Sequence, residues 1–265
     1  MARKLTILLL PAAALLCSCA VKPSVTDLER YQMTGKVLRA EVDLGEGYGY
    51  TAWFDRRGML DSLVQVNPTE TLSNVYIYDS KGRLKEHAIY RPDRHYEGYY
   101  LYNYKGDVVE SYTLFGWDLQ AIFDWKFDVV RGRQQRCRYY NEGALVSTTE
   151  YNWFPGGKME TVYDTNGNPC GELTYRYLDR FRLSGIEGED VHIEIEYGED
   201  GLPASSRGGV VESDSEVSTN SEIRFYGSME YHYEKDSRGN WTRREEYFPG
   251  PGVSGRTITR KITYR

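Results

Sequence analysis

The feature that most restricts the fold is a turn that keeps returning. Asp55-Arg-Arg-Gly58, Asp79-Ser-Lys-Gly82, Asp164-Thr-Asn-Gly167 and Asp236-Ser-Arg-Gly239 all read D-x-x-G. An Asp at the first position of a type I turn accepts backbone N–H groups through its carboxylate. A Gly at the end supplies the left-handed residue that closes a bulged hairpin. Gly58, Gly82, Gly167 and Gly239 are therefore read as turn glycines. Weaker copies stand at Tyr104-Lys105-Gly106, Arg131-Gly132, Asn141-Glu-Gly143 and Glu199-Asp-Gly201. The steps from Gly58 to Gly82, Gly82 to Gly106 and Gly143 to Gly167 are each 24 residues. Two strands of about eight residues with two turns fill such a period.

The segments between turns read as strands. Val191, Ile193, Ile195 and Tyr197 alternate with His192, Glu194 and Glu196, and Leu38–Leu44 alternates likewise. That pattern gives a sheet one dry and one wet face. Tyr99-Tyr-Leu-Tyr-Asn-Tyr104 and Val75-Tyr-Ile-Tyr78 place large residues on both sides. The only helical signal is a short turn at Val25–Tyr31, with Ser24 or Thr26 as N-cap. The expected fold is all-β, an extended antiparallel sheet of repeated hairpins that is open, twisted or partly wrapped.

The N-terminus is of another kind. Arg3 and Lys4 precede an apolar run, Leu5 to Leu16, too short to cross a bilayer. It ends in Leu16-Cys17-Ser18-Cys19, which resembles a bacterial lipobox with an apolar residue at −3 and a small one at −1. The resemblance implies a signal peptide at 1–18, a lipid on Cys19, a tether over 19–34 and a sheet domain over 35–265. Ala20, rather than Asp, after Cys19 resembles the outer-membrane sorting pattern. A multiply acylated Cys anchors stably, so the expected partner is a membrane, held through the lipid.

Composition narrows the function. Loss of residues 1–18 removes two basic and no acidic side chains, leaving 31 against 39, a net charge of −8. Such a chain has no electrostatic case for nucleic acid and is repelled by anionic headgroups. Tyr outnumbers Phe 24 to 8, which suits a half-packed, half-wet sheet. His87, His95, His192 and His232 lack metal-ligand spacing, so no metal and no cofactor is expected. After processing Cys137 and Cys170 remain, and an export compartment permits a disulfide between them. The Ser-, Gly- and acid-rich stretch 208–221 reads as a mobile insertion, and Pro249–Gly255 as a loop.

Tyr76-Ile-Tyr-Asp79-Ser-Lys-Gly82-Arg-Leu84 resembles a YD repeat, the unit of RHS-type proteins. Tyr231-His-Tyr-Glu-Lys-Asp236-Ser-Arg-Gly239-Asn-Trp-Thr-Arg243 and Thr257–Tyr264 resemble small YD-repeat lipoproteins of bacterial envelopes. The resemblance implies architecture and says nothing of activity. Nucleophile elbows, zinc helices, phosphate loops and dinucleotide fingerprints are absent from the sequence, and no catalytic residue is assigned. The expected function is non-enzymatic: an envelope lipoprotein whose sheet binds a protein or a carbohydrate. The candidate face is Tyr76, Tyr78, Tyr99, Tyr100, Tyr102 and Tyr104, with Trp53, Trp117, Trp125, Trp153 and Trp241 as further rings. A spacer without a ligand, or a carbohydrate-active enzyme, is the alternative.

Overall fold

A computed structural model describes residues 26–91, 96–179, 182–189, 191–210, 228–248 and 255–265. The signal segment, Cys19 and most of the acidic insertion lie outside the described residues, as does the loop at 249–254. A short helix, α1 (Asp27–Arg30), leads into β1 (Val37–Gly45), β2 (Tyr48–Phe54), β3 (Leu60–Val66), β4 (Thr71–Tyr78), β5 (Leu84–Tyr90) and β6 (Tyr96–Lys105). The chain continues through β7 (Val108–Gly116), β8 (Ala121–Val130), β9 (Arg133–Asn141), β10 (Ala144–Phe154), β11 (Gly157–Tyr163) and β12 (Pro169–Tyr177). It ends with β13 (Leu183–Gly188), β14 (Val191–Tyr197), β15 (Pro203–Val210), β16 (Met229–Lys235), β17 (Trp241–Tyr247) and β18 (Arg256–Tyr264).

Each strand pairs antiparallel with the next, and β18 pairs with β1 through Ala40–Ile262 and Val42–Arg260. The sheet is therefore a closed up-and-down barrel, not the open or partly wrapped sheet expected from sequence. Turn chemistry is the same in both, so only the pairing of the first strand with the last decides between them. A ring of this strand number at ordinary tilt spans roughly 35 Å between backbones. Walls that far apart cannot pack on one another. Substantial contacts among the described elements accordingly run between ring neighbours, with β7 and β9 the one next-but-one pair.

The turns show why the repeat exists. In Asp55–Gly58, Asp79–Gly82, Asp164–Gly167 and Asp236–Gly239 the Gly N–H donates to the Asp carbonyl at 3.0–3.1 Å. The Asp carboxylate then accepts two backbone N–H groups, as Asp55 does from Arg57 and Met59 at 2.8 and 3.0 Å. The closing glycines take φ of 82°, 77°, 83° and 82°. Three of these turns lie at the mouth where the chain enters β1. Asp164–Gly167, between β11 and β12, lies at the other.

Register separates the two faces. Ala40, Ala52, Leu63, Asn74 and Ile89 follow one another across β1–β5 on one face. Arg39, Trp53, Ser62 and Val75 run across β1–β4 on the other. Nearly every buried strand residue belongs to the first face, including the polar Asn74, Gln134, Lys158, Glu246 and Arg260; Ala88 and Val108 are the apolar exceptions. Lys158 is 2 % exposed although no described element crosses over it; the rings of Tyr151, Trp153 and Tyr175 surround it. A convex surface splays side chains apart, so burial of this kind assigns the first face to the inside of the barrel. The outer face carries ion pairs such as Arg138–Asp128 at 2.7 Å and Arg176–Glu187 at 2.9 Å.

The expected tether is partly core. Thr26 caps α1 by accepting from the Glu29 N–H, and the Glu29 carboxylate accepts from the Thr26 N–H. Leu28 and Met33 pack on the inner face against Val37, Ala40, Ala52, Phe54, Leu60 and Leu63. Asp27 accepts from the Leu60 N–H and the Tyr78 hydroxyl, each at 2.8 Å. Arg260 reaches from β18 to the carbonyls of Tyr31 and Gln32. The entering segment thus bridges the seam where first and last strands meet.

Candidate functional site

The inner wall of β4–β10 is a belt of rings. Strand pairing sets side chains on neighbouring strands about 5 Å apart, so aromatic residues in register stack face to face. Tyr76, His87 and Tyr100 lie in register on β4, β5 and β6, with ring centroids 4.6 and 5.5 Å apart and nearly parallel planes. Tyr102 and Tyr112 follow on β6 and β7. Then Tyr112, Trp125 and Tyr139 stack across β7, β8 and β9 at 4.6 and 5.1 Å. Phe123 and Phe127 flank this second stack. Tyr100, Tyr112, Trp125 and Tyr139 are half-buried.

Two polar groups are set into the wall. Asn74 donates to the Leu63 carbonyl at 3.2 Å and to Gln65 at 3.3 Å, which leaves its oxygen to accept from His87 Nε2 at 2.8 Å. That arrangement fixes the His87 tautomer and leaves Nδ1 as an acceptor. Burial pushes the His87 pKa down to about 4, so the ring is neutral near pH 7. Burial likewise raises Tyr102 and Tyr112, and pushes Tyr104 up to about 12, so these hydroxyls stay protonated. The register places no charged side chain on the inner face between Tyr100 on β6 and Tyr151 on β10; the Arg133 guanidinium, at the edge of this stretch, lies 5.8 Å from the Trp153 ring centre. Beyond it, on β11, Lys158 pairs with Glu160.

Of the six tyrosines singled out from sequence, Tyr76, Tyr78, Tyr100, Tyr102 and Tyr104 face the interior. Tyr78 is bonded to Asp27, and Tyr104 donates to the Leu84 carbonyl at 2.7 Å beneath the Arg83 guanidinium. Tyr99 points outward and stacks on Phe115 at 4.9 Å. Among the tryptophans, Trp125, Trp153 and Trp241 face inward, Trp53 faces outward, and Trp117 sits exposed in the β7–β8 turn. Sequence reasoning missed Tyr112, Phe123 and Tyr139. Their signal was alternation within β7–β9, where Phe123, Trp125 and Phe127 interleave with Asp124, Lys126 and Asp128.

Cys137 and Cys170 are free thiols, the first buried and the second exposed. They stand on β9 and β12, with β10 and β11 between, about 14 Å apart at ordinary strand spacing. A disulfide needs Cα atoms within about 7 Å, half of that distance, so the bond that the sequence allowed is not made. Among the described residues no group of His, Cys, Asp and Glu is arranged to hold a metal ion, and no helix is long and apolar enough to cross a membrane.

No family model matches the chain, and no curated protein matches it. The YD-repeat resemblance therefore rests on the residues that carry it. Among solved structures, a porin-like protein from Bacteroides uniformis aligns over 86% of this chain and 98% of its own, at 10% identity and a TM-score of 0.41. A porin-like protein from Bacteroides vulgatus aligns over the same shares at 11% identity and a TM-score of 0.32. TcdB2-TccC3 without its hypervariable C-terminal region aligns over 80% of this chain and 16% of its own, at 10% identity and a TM-score of 0.23. No function is transferred from them.

Proposed function

We propose that this protein is a non-enzymatic lipoprotein of the bacterial envelope whose barrel binds an uncharged glycan along the ring belt of its inner wall. The observation that supports this reading is the contrast between two parts of one wall. On β1–β3 the inner face is covered by the chain's own Leu28, Tyr31 and Met33. On β6–β9 Tyr100, Tyr112, Trp125 and Tyr139 stay half-buried, with no described element over them. An uncovered concave aromatic wall is the ordinary form of a ligand site. The bore, roughly 20 Å wide once side chains are subtracted from the backbone span, admits an extended polymer and excludes a folded protein. A wall of rings and phenol hydroxyls without charge suits a neutral chain.

The barrel is read as standing on the membrane rather than crossing it. A spanning barrel needs an outward apolar band about 25 Å tall. Here the outer face presents Arg39, Glu41 and Asp43 on β1, and Asp124, Lys126 and Asp128 on β8. The lipid on Cys19 supplies the attachment.

A second reading has its own support. The rings of Tyr112, Trp125 and Tyr139 turn their faces to one another, so a sugar meets edges and hydroxyls instead of open faces. If the belt is only a ladder that stiffens the wall, the protein is a spacer. Tyr112→Phe and Tyr139→Phe keep every ring and remove the hydroxyls. Loss of binding to neutral oligosaccharides at unchanged melting temperature supports the glycan reading. A wild-type barrel that binds none of them supports the spacer.

A further inference from the structure

On β16–β18 the inner wall changes character. Tyr233 stands opposite Arg244, and Trp241 opposite Lys235. The Arg244 Nη2 donates to Glu246 at 2.6 Å, and Arg256 donates to the same carboxylate at 3.0 Å. The Arg260 guanidinium lies 3.8 Å from the Trp241 ring centre and donates to the Trp241 carbonyl. Two guanidinium groups thus share the Glu246 carboxylate, while the third, on Arg260, is spent on the carbonyls of Trp241, Tyr31 and Gln32. Cations still outnumber anions here: Arg244, Arg256, Arg260 and Lys235 stand against Glu246, Asp200 and Asp236, in a chain whose overall charge is −6.

Donors at this spot lack acceptors. The Trp241 Nε1, the Arg244 Nε and the Tyr233 hydroxyl are buried with no acceptor for their protons, the Tyr233 oxygen itself lying against the Arg244 side chain; Arg39 Nε is the one other such atom among the described residues. The three belong together. The Tyr233 and Trp241 rings are 6.3 Å apart, and the Arg244 guanidinium is 5.7 Å from the Trp241 ring. Trp241 itself is 6 % exposed. Buried donors are almost always satisfied in folded proteins, and a cluster of them points to a group that fills the gap. What fits a phenol O–H, an indole N–H and a guanidinium N–H under excess positive charge is an anion with oxygen acceptors.

We propose that Trp241, Arg244 and Tyr233 form an oxyanion site for a phosphate or carboxylate group, covered by the turn Gly198–Leu202. Leu202 belongs to one buried cluster with Trp241, Ile258 and Val42. The turn is latched where Lys235 Nζ meets Asp200 at 2.6 Å, a contact that also holds the Asp200 carboxyl below its usual range. Entry requires the turn to lift, which exposes all three donors at once. The site lies on strands apart from the ring belt and does not depend on what that belt binds.

The test is calorimetric titration of the mature protein with inorganic phosphate and, separately, acetate, folding being checked by circular dichroism. One equivalent of at least one anion is expected to bind saturably. Trp241→Phe removes only the indole N–H, and Arg244→Lys keeps the charge but removes Nε; each should weaken binding tenfold or more. Arg39→Lys removes the orphaned donor outside this cluster and should change nothing. Lys235→Ala frees the turn and should speed association. A preference for phosphate or for acetate identifies the class of ligand. Absence of saturable binding in both the wild type and Lys235→Ala overturns the site. Binding that survives Trp241→Phe and Arg244→Lys unchanged, or falls equally in Arg39→Lys, overturns it as well.

Discussion

The Asn240 carboxamide and the Thr34 backbone are matched as donor and acceptor in both directions. The Thr34 N–H donates to Asn240 Oδ1 at 2.7 Å, and Asn240 Nδ2 donates back to the Thr34 carbonyl at 3.0 Å. The same Nδ2 reaches the Tyr264 hydroxyl at 2.7 Å, and that hydroxyl in turn donates to Asp236. A residue 1 % exposed, after the last D-x-x-G turn, thus ties the entering segment to the final strand.

Asn240→Leu is expected to cost about 1–3 kcal/mol, because it deletes both bonds to the half-covered Thr34 backbone and the bond to the Tyr264 hydroxyl. Urea unfolding measures it. A stability within 0.5 kcal/mol of wild type, roughly the range of ordinary surface substitutions, would show that the seam does not need this residue.

Gly82 isolates the conformational demand of the turn. Its φ is 77°, yet a Cβ built there meets nothing within 4 Å. Gly82→Val should therefore lose about 1–2 kcal/mol from left-handed backbone alone, and Gly82→Asn clearly less, since Asn tolerates that region. Equal melting of the two variants would contradict the turn geometry.

His87 gives the barrel a specific sensitivity to acid. Its pKa falls from 6.5 unfolded to about 4 folded, so between those values the unfolded chain binds a proton that the folded one refuses. Stability from this group is nearly full above pH 6.5 and declines as pH falls toward 4, by about 2 kcal/mol at pH 5. Unfolding free energies of wild type and His87→Gln at pH 7 and pH 5 check it. The wild type should lose more than the variant. The depressed carboxylates Asp55, Asp79 and Asp236 weaken both proteins alike as the pH falls through their own range.

The two thiols should react at very different rates. Burial pushes the Cys137 thiol up to about 12, whereas Cys170 is exposed. A thiolate reagent at pH 8 should modify one equivalent quickly in the folded protein and two in denaturant. Two fast equivalents without denaturant would place Cys137 outside the wall.

Replacing Cys19 by Ser should release the protein from the membrane fraction or block its processing. Normal processing with unchanged fractionation would remove the lipid anchor from the account of this chain.

How much of this was legible depends on distance along the chain. The hairpins were, because an Asp carboxylate bonds N–H groups two and four residues away and leaves a local signature. The capping box of Thr26 and Glu29 is equally local. Closure was not: Ala40 meets Ile262 across 222 positions, and nothing in either strand differs from a sheet edge. Lys158 and Arg260 look like solvent-facing residues in the sequence, and only the curvature of the wall turns them inward. The glycine period misled in one respect. The step from Gly143 to Gly167 is the same as that from Gly58 to Gly82, but the first pair sits at the far mouth. The candidate belt was legible at its first strands and at Trp125, but not at Tyr112 and Tyr139, which the register between hairpins brings onto Trp125.

An up-and-down barrel with an even number of strands returns the chain to the rim from which it set out. Val37 pairs with Tyr264, and the Arg265 N–H donates to the Lys36 carbonyl at 2.9 Å. Polypeptide before β1 and polypeptide after β18 therefore share one rim, and the opposite rim consists of hairpin loops alone. Anything fastened upstream of Thr26 holds that shared rim toward its support and points the loop rim away from it. Parity of the strand count thus gives the barrel a foot and a free end.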